Sequence, residues 1–296
     1  MVRATRLALA LAVTTAIAAS AAATAVAAEP AVPSGSAGIV APAETGAARA
    51  LTAAENAELV ALSDPSTVTD LHDGQRRMER VAEMLSGAQD RRGIFVIFYR
   101  NILRDANPVL DQGNFGDPAW ARAVSAEFFR IYLVNLHAHL TGGTVSPEWT
   151  RYYDLAADPS RSAGRVAAAA LDAHLHIDFP EAIAATGTRA DHARDFFALG
   201  DSLIAITNNI TADLDAVYGA KLADFFHAYF VGPAVDSVLG ENTTSYVMFQ
   251  SVRGISFANG LALGSPALRD AAAVEMRVMY DTAETVFDGL EAANLI

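Results

Sequence analysis

Residues 117–140 read DPAWARAVSAEFFRIYLVNLHAHL, and their spacing decides the fold class. Asp117 is a capping residue set directly before Pro118, whose fixed φ and missing N–H suit the first position of a helix. Phe128, Tyr132, Leu136 and Leu140 then recur every four residues, which makes one helical face apolar over several turns. The same opening returns at Ser146-Pro147 and Ser265-Pro266, and the last segment repeats the pattern with Met276, Met279, Tyr280, Ala283 and Phe287. Gly142-Gly143, Gly187, Gly219, Gly232-Pro233 and Gly240 punctuate the chain, and no stretch alternates as a strand would. Helices are expected over 52–62, 74–86, 91–105, 118–140, 147–156, 161–178, 189–217, 219–230, 243–260 and 266–293. No fixed repeat points to a solenoid, so the expectation is an all-α, compact multi-helix bundle of about nine or ten helices.

Towards the N-terminus the pattern changes. Arg3 and Arg6 precede an apolar run from Leu7 to Ile17, and Ala25-Val26-Ala27 has the small-x-small form of a cleavage site, so residues 1–27 read as a signal peptide. The apolar run is shorter than the roughly 20 residues that a spanning helix needs, and no membrane span is expected after cleavage. The arginines are not adjacent, which favours the general secretory route and a secreted, extracellular protein. Residues 28–50, rich in Ala, Pro and Gly, bury too little to offset the entropy of ordering and read as a disordered tether. Residues 51–296 are expected to form a single helical domain.

The chain has no cysteine, which excludes thiolate metal sites and cysteine nucleophiles. Its net charge of −13, about −15 once Arg3 and Arg6 are removed, argues against nucleic acid and anionic membrane surfaces as partners.

Leu171-Asp172-Ala173-His174-Leu175-His176-Ile177-Asp178-Phe179-Pro180 is the segment richest in chemistry. On a helix, His174 and Asp178 share one face and Asp172 and His176 another. Leu171 and Leu175 flank the first pair, so His174 and Asp178 are expected inside, with Asp172 and His176 at the edge. An imidazole and a carboxylate one turn apart can ligate one divalent metal ion together, Zn above all. Without metal the carboxylate can orient the imidazole as a general base, or the two can simply satisfy each other in the core. His139, on the face of Phe128, Tyr132 and Asn135, is the expected third ligand; His137 reads as solvent-facing, His227 as packed among aromatics, and His72 and His192 carry little weight.

Arg253 lies in Tyr246 to Phe257 as one charge among twelve residues, so its helix is expected to be buried on most sides. A buried guanidinium needs a carboxylate or an anionic ligand. Asp195 and Asp201 are the candidate partners, Asp201 sharing a stripe with Asn208. Tyr99, after the apolar Ile94 to Phe98, adds a polar group to the same interior, whereas Trp120 and Trp149, each in the first turn of a helix, read as packing. Glycine-rich phosphate loops, G-x-S-x-G and H-E-x-x-H are absent.

Ala173-His174-Leu175-His176-Ile177-Asp178-Phe179 resembles the A-H-I-N-x-D-L signature of an uncharacterised all-helical domain family of high-GC bacteria. Phe98 to Ile102 resembles its early Y-R motif, Phe129 to Leu133 (F-R-I-Y-L) and Pro147 to Thr150 (P-E-W-T) resemble, with one spacer residue fewer in each, its F-x-x-x-Y-L and P-x-x-W segments, and Val252-Arg253 its late arginine helix. His176 and Phe179 depart from the signature, where Asn and Leu are usual. This resemblance, over roughly Asp90 to Leu261, implies the fold and the place of the site and brings no activity with it. A more distant likeness, to the all-helical zinc-dependent phospholipase C group, rests on the His-x-x-x-Asp pair alone, since further histidines and an N-terminal metal-binding tryptophan are missing.

The expectation for function is an exported hydrolase whose pocket holds His139, His174, Asp178 and Arg253, with a divalent metal or the His–Asp pair activating water and Arg253 holding an anionic group. A non-catalytic helical domain that binds a small molecule, anionic or lipid, and a purely structural exported domain are the alternatives.

Overall fold

The computed structural model describes residues 48–222 and 243–296. The signal peptide, nearly all of the tether and His227 lie outside the described residues. The described chain is all-α, a compact helical fold without a strand among those residues.

Helices α1 (Ala53–Ser63), α2 (Leu71–Gly87), α3 (Gly93–Gln112), α4 (Pro118–Thr141) and α5 (Pro147–Ala157) follow one another through short turns. Local chemistry sets their starts: Asp117 accepts from the Trp120 amide at 3.0 Å and Ser146 from the Trp149 amide. Next come α6 (Ala163–Asp172), a π-helical turn (Ala173–Asp178) and α7 (Phe179–Ala185), then α8 (Ala193–Ala205), α9 (Thr207–Tyr218), α10 (Thr243–Gly264) and α11 (Arg269–Ala292).

Helix α3 is the centre. Gly93 to Tyr99 are seven consecutive buried residues, the mark of a helix covered on every side, and α2, α4, α6, α8 and α9 surround it. One core forms around it from Phe95, Tyr132, Trp149 and their neighbours. A second, smaller core collects Val124, Phe179, Ile183, Phe196 and Phe257 where α4, α7, α8 and α10 meet. Helices α7 and α10 approach so closely that a Cβ on Gly260 would stand 2.4 Å from the Ile183 side chain. No helix among the described residues is long and apolar enough to cross a membrane.

Several boundaries differ from those read in the sequence. The helix expected to stop at 178, ahead of Pro180, runs on through a π turn to Ala185: the Phe179 amide bonds back five residues, to His174, and the wider turn leaves room beside Pro180, which has no N–H to donate. The single helix expected over 189–217 breaks at Ile206. Ser265 does not cap α11; its carbonyl accepts from the Leu268 and Arg269 amides in the turn after α10, and α11 starts at Arg269.

Candidate functional site

The π turn places the two His–Asp pairs. His174 Nδ1 lies 2.9 Å from Asp178 Oδ2, and the Trp149 indole N–H donates to the same oxygen at 2.9 Å. His174 is 2 % and Asp178 3 % exposed. Burial pushes the Asp178 carboxyl well up and the His174 imidazole well down, both towards the neutral form. The His174 ring stacks on Phe128 at 3.6 Å and meets Phe95 and Tyr99 edge-on. Its Nε2 is buried and has no hydrogen-bond partner.

Of the second pair Asp172 is internal, against the expectation of an edge, while His176 is half-buried. His176 Nδ1 is 2.5 Å from Asp172 Oδ1, and Asp172 is 2 % exposed. The cause is α11, which packs over that face and brings Glu284 and Tyr280 towards Asp172. Burial pushes the Asp172 carboxyl up to about 7, against the opposing pull of His176.

Arg253 is 3 % exposed and meets none of the carboxylates expected for it. Asp195 caps another element, accepting from the Gly116 and Asp117 amides at 2.8 and 2.7 Å. Asp201 is exposed, accepts from Gln250 at 2.7 Å and Tyr246 at 3.1 Å, and reaches Arg253 only as a distant charge. Asn208 is exposed beyond the break at Ile206 and takes no part. The guanidinium instead donates through Nη2 to the Phe196 carbonyl at 2.7 Å and lies over the rings of Phe196, Phe179 and Phe249 at 4.4, 5.0 and 5.5 Å. Its Nε is buried without a partner, and desolvation lowers its pKa to about 9. Gly200 makes the room, since a Cβ there would stand 2.6 Å from Arg253 Nε.

His174 and Arg253 line the same cavity, of about 120 Å³, at the seam between the two cores. Its wall is otherwise almost wholly apolar. Phe95, Tyr99, Ile102, Ala106 and Leu110 give it one stripe of α3, about 22 Å long at the usual helical rise of about 1.5 Å per residue. The lining residues Leu203, Thr207 and Phe249 are only half-buried and mark its rim.

The remaining candidates are elsewhere or in other roles. Tyr99 is buried in the cavity wall, stacked on Tyr132, and burial raises its phenol well above the ordinary value. His139 is half-buried and stacks on Tyr153 at 3.8 Å, burial lowering its pKa. Among the described residues no group of three or more His, Asp or Glu side chains is placed to hold a metal ion. The donor set at the buried pair fits a metal poorly as well: Nδ1 and Oδ2 are engaged with each other, the indole occupies the same oxygen, and Nε2 is the one unengaged nitrogen of the imidazole. His137 is not solvent-facing but half-buried, 3.0 Å from the Ser63 hydroxyl, and His192 is buried against Trp120.

Two participants escaped sequence reasoning. Trp149 does more than pack, and Phe128 carries the imidazole on its face. For Phe128 the signal was present, since it begins the apolar stripe of α4. For Trp149 none existed, because its partner lies 29 residues away on another helix.

Residues 72–253 match the model of a family of unknown function, DUF5995. No curated protein and no solved structure matches the chain. The matched span covers more than half of the sequence and takes in Trp149, His174, Asp178 and Arg253, and the chain belongs to this family.

Proposed function

We propose that this domain binds a small, largely apolar molecule in the seam cavity, with Arg253 and His174 as its polar contacts. One observation carries the reading: two buried groups, each with a nitrogen lacking any protein partner, line one apolar cavity. Leaving such a group unsatisfied costs about 1–3 kcal/mol, more for a charge. A ligand with two polar atoms would offset that cost at both groups. The form of the cavity, apolar with few convergent polar groups, is that of a small-molecule site. If residues 1–27 act as a signal peptide, the ligand is met outside the cytoplasm.

The test is a thermal-unfolding screen of the purified full chain against small apolar acids, alcohols and aromatics. A ligand at about 100 times its dissociation constant adds about 2.7 kcal/mol of stability and raises the midpoint. Leu199→Trp, which fills the cavity from its wall, should abolish the rise. No midpoint shift with any member of the panel would end the proposal.

A hydrolase is the second reading, and the imidazole oriented by the Asp178 carboxyl group with an unpartnered Nε2 is what favours it. It predicts turnover of apolar esters that His174→Phe removes. Binding without turnover leaves the first reading in place.

A further inference from the structure

The two polar atoms in the cavity are not neighbours. From His174 the rings run through Phe128 at 3.6 Å to Phe179 a further 4.2 Å on, and Arg253 lies over the Phe179 ring, 5.0 Å from its centroid. Two stacked rings thus stand in the line of contacts from the imidazole to the guanidinium, and the ligand proposed below has a polar group for each. The wall between them is apolar and includes the stripe of α3.

Resting on the ligand-binding reading above, we propose that the ligand is a medium-chain acyl carboxylate bearing a second oxygen, a hydroxyl, along its chain. The carboxylate pairs with Arg253, the chain lies along α3 beside Phe128 and Phe179, and the hydroxyl meets His174 Nε2. The head group follows from charge: Arg253 is a buried guanidinium with no carboxylate paired to it, and its fork of N–H groups matches a carboxylate. The rim residues Leu203, Thr207 and Phe249 show that the space is reachable from outside. The hydroxyl follows from the two protonation states of the His174–Asp178 pair. In the neutral pair the Asp178 O–H donates to Nδ1 and Nε2 carries the imidazole hydrogen as a donor; when the pair gives up one proton, the remaining hydrogen sits on Nδ1 towards the carboxylate and Nε2 is an acceptor. A hydroxyl both donates and accepts, so it satisfies Nε2 in either state, whereas a carbonyl only accepts and an ammonium only donates.

The experiment measures binding of octanoic acid, octanol and mid-chain hydroxyoctanoic acid to the full chain by calorimetry. The hydroxy acid is expected to bind at least ten-fold more tightly than octanoic acid, and octanoic acid at least ten-fold more tightly than octanol. Arg253→Met should remove the preference of acid over alcohol, Arg253→Lys should keep part of it, and His174→Phe should remove only the preference for the hydroxylated chain. Circular dichroism confirms that each variant is folded. Equal affinity for octanol and octanoic acid would overturn the proposal and leave the cavity reading standing. Equal affinity for the two acids would overturn its second half. Failure of all three probes, with benzene also without effect on the thermal midpoint, would overturn the cavity reading itself.

Discussion

Arg165 and Arg253 are both buried, and the protein houses them in opposite ways. Arg165, on α6, has no exposed surface and is held by carboxylates: Nη2 bonds Glu284 at 2.5 Å and Nε bonds Asp288 at 2.9 Å. Arg151 joins Glu284 and Asp288, and Arg161 joins Asp288 and Glu291, so three arginines of the α5–α6 region clamp the acidic stripe of α11. Arg253 has a backbone carbonyl, three phenyl rings and a cavity. The first is a finished structural joint; the second is a charge kept without a counter-charge beside a space. That difference teaches where to look for function: buried charge alone marks nothing, and buried charge without a partner marks a ligand.

The comparison can be broken most severely at Arg165. Removing one member of a buried ion cluster leaves its partners under-compensated, typically at a cost of about 3–5 kcal/mol. Since Arg151 still holds Glu284, Arg165→Met should destabilise the domain by about 3 kcal/mol, read from urea unfolding. A loss below about 1 kcal/mol would show the cluster to be decorative and would remove half of the contrast.

The second effect is a dependence on pH. Asp172 is raised to about 7 by burial, with His176, Glu284 and Tyr280 around it. Between about pH 4 and 7 the folded state keeps a proton that the unfolded chain has released, so this carboxyl stabilises the fold at the acid end and progressively less as pH rises. A shift of this size is worth at most about 4 kcal/mol, and the neighbouring His176 reduces it. The difference in stability between the wild type and Asp172→Asn should therefore swing in favour of the variant as pH rises from about 4.5 to 7.5. A difference that stays flat across that range sinks the prediction.

Trp149→Phe comes next. It keeps an aromatic ring in the core and removes the N–H from Asp178 Oδ2, an oxygen otherwise met by His174 alone. Losing one bond to a buried carboxyl should cost about 1–3 kcal/mol and weaken binding of any ligand that depends on His174. If stability and ligand affinity are both unchanged, the indole is packing only, as its place in the first turn of α5 implied.

What the sequence could and could not say follows from the range of the interactions. The caps at Asp117 and Ser146 are legible because cap and amide are three residues apart, and the apolar stripe of α4 because its period is local. His174 and Asp178 are legible as a pair for the same reason, being four residues apart. The burial of Asp172 is not legible, since it is made by α11, more than a hundred residues on. The π turn is hidden as well, because Phe179-Pro180 reads as a stop and the widening that accommodates it has no signature of its own. Arg165 could have been found from the other side: Glu284, Asp288 and Glu291 fall at helical spacing on one face of α11, and such a stripe needs basic partners. For Arg253 the sequence poses the choice between a carboxylate and an anionic ligand, and only the packing, with Asp195 turned to Gly116 and Asp201 to solvent, removes the first.

The smallest effect sharpens the comparison most. Arg253→Met gives up one hydrogen bond to the Phe196 carbonyl and the attraction of the charge for three ring faces. It also removes the desolvation that lowers the guanidinium pKa to about 9, a penalty in force at every pH below that value. An unbranched apolar side chain of similar length fills the same slot beside Gly200. The two sides nearly cancel, so without ligand Arg253→Met should change stability by no more than about 1 kcal/mol in either direction, against the loss of about 3 at Arg165. With an acidic ligand present, the wild type should gain stability that the variant does not. A loss of about 3 kcal/mol in the ligand-free Arg253→Met protein would mean that the guanidinium is already satisfied by the fold, and the two arginines would then be of one kind.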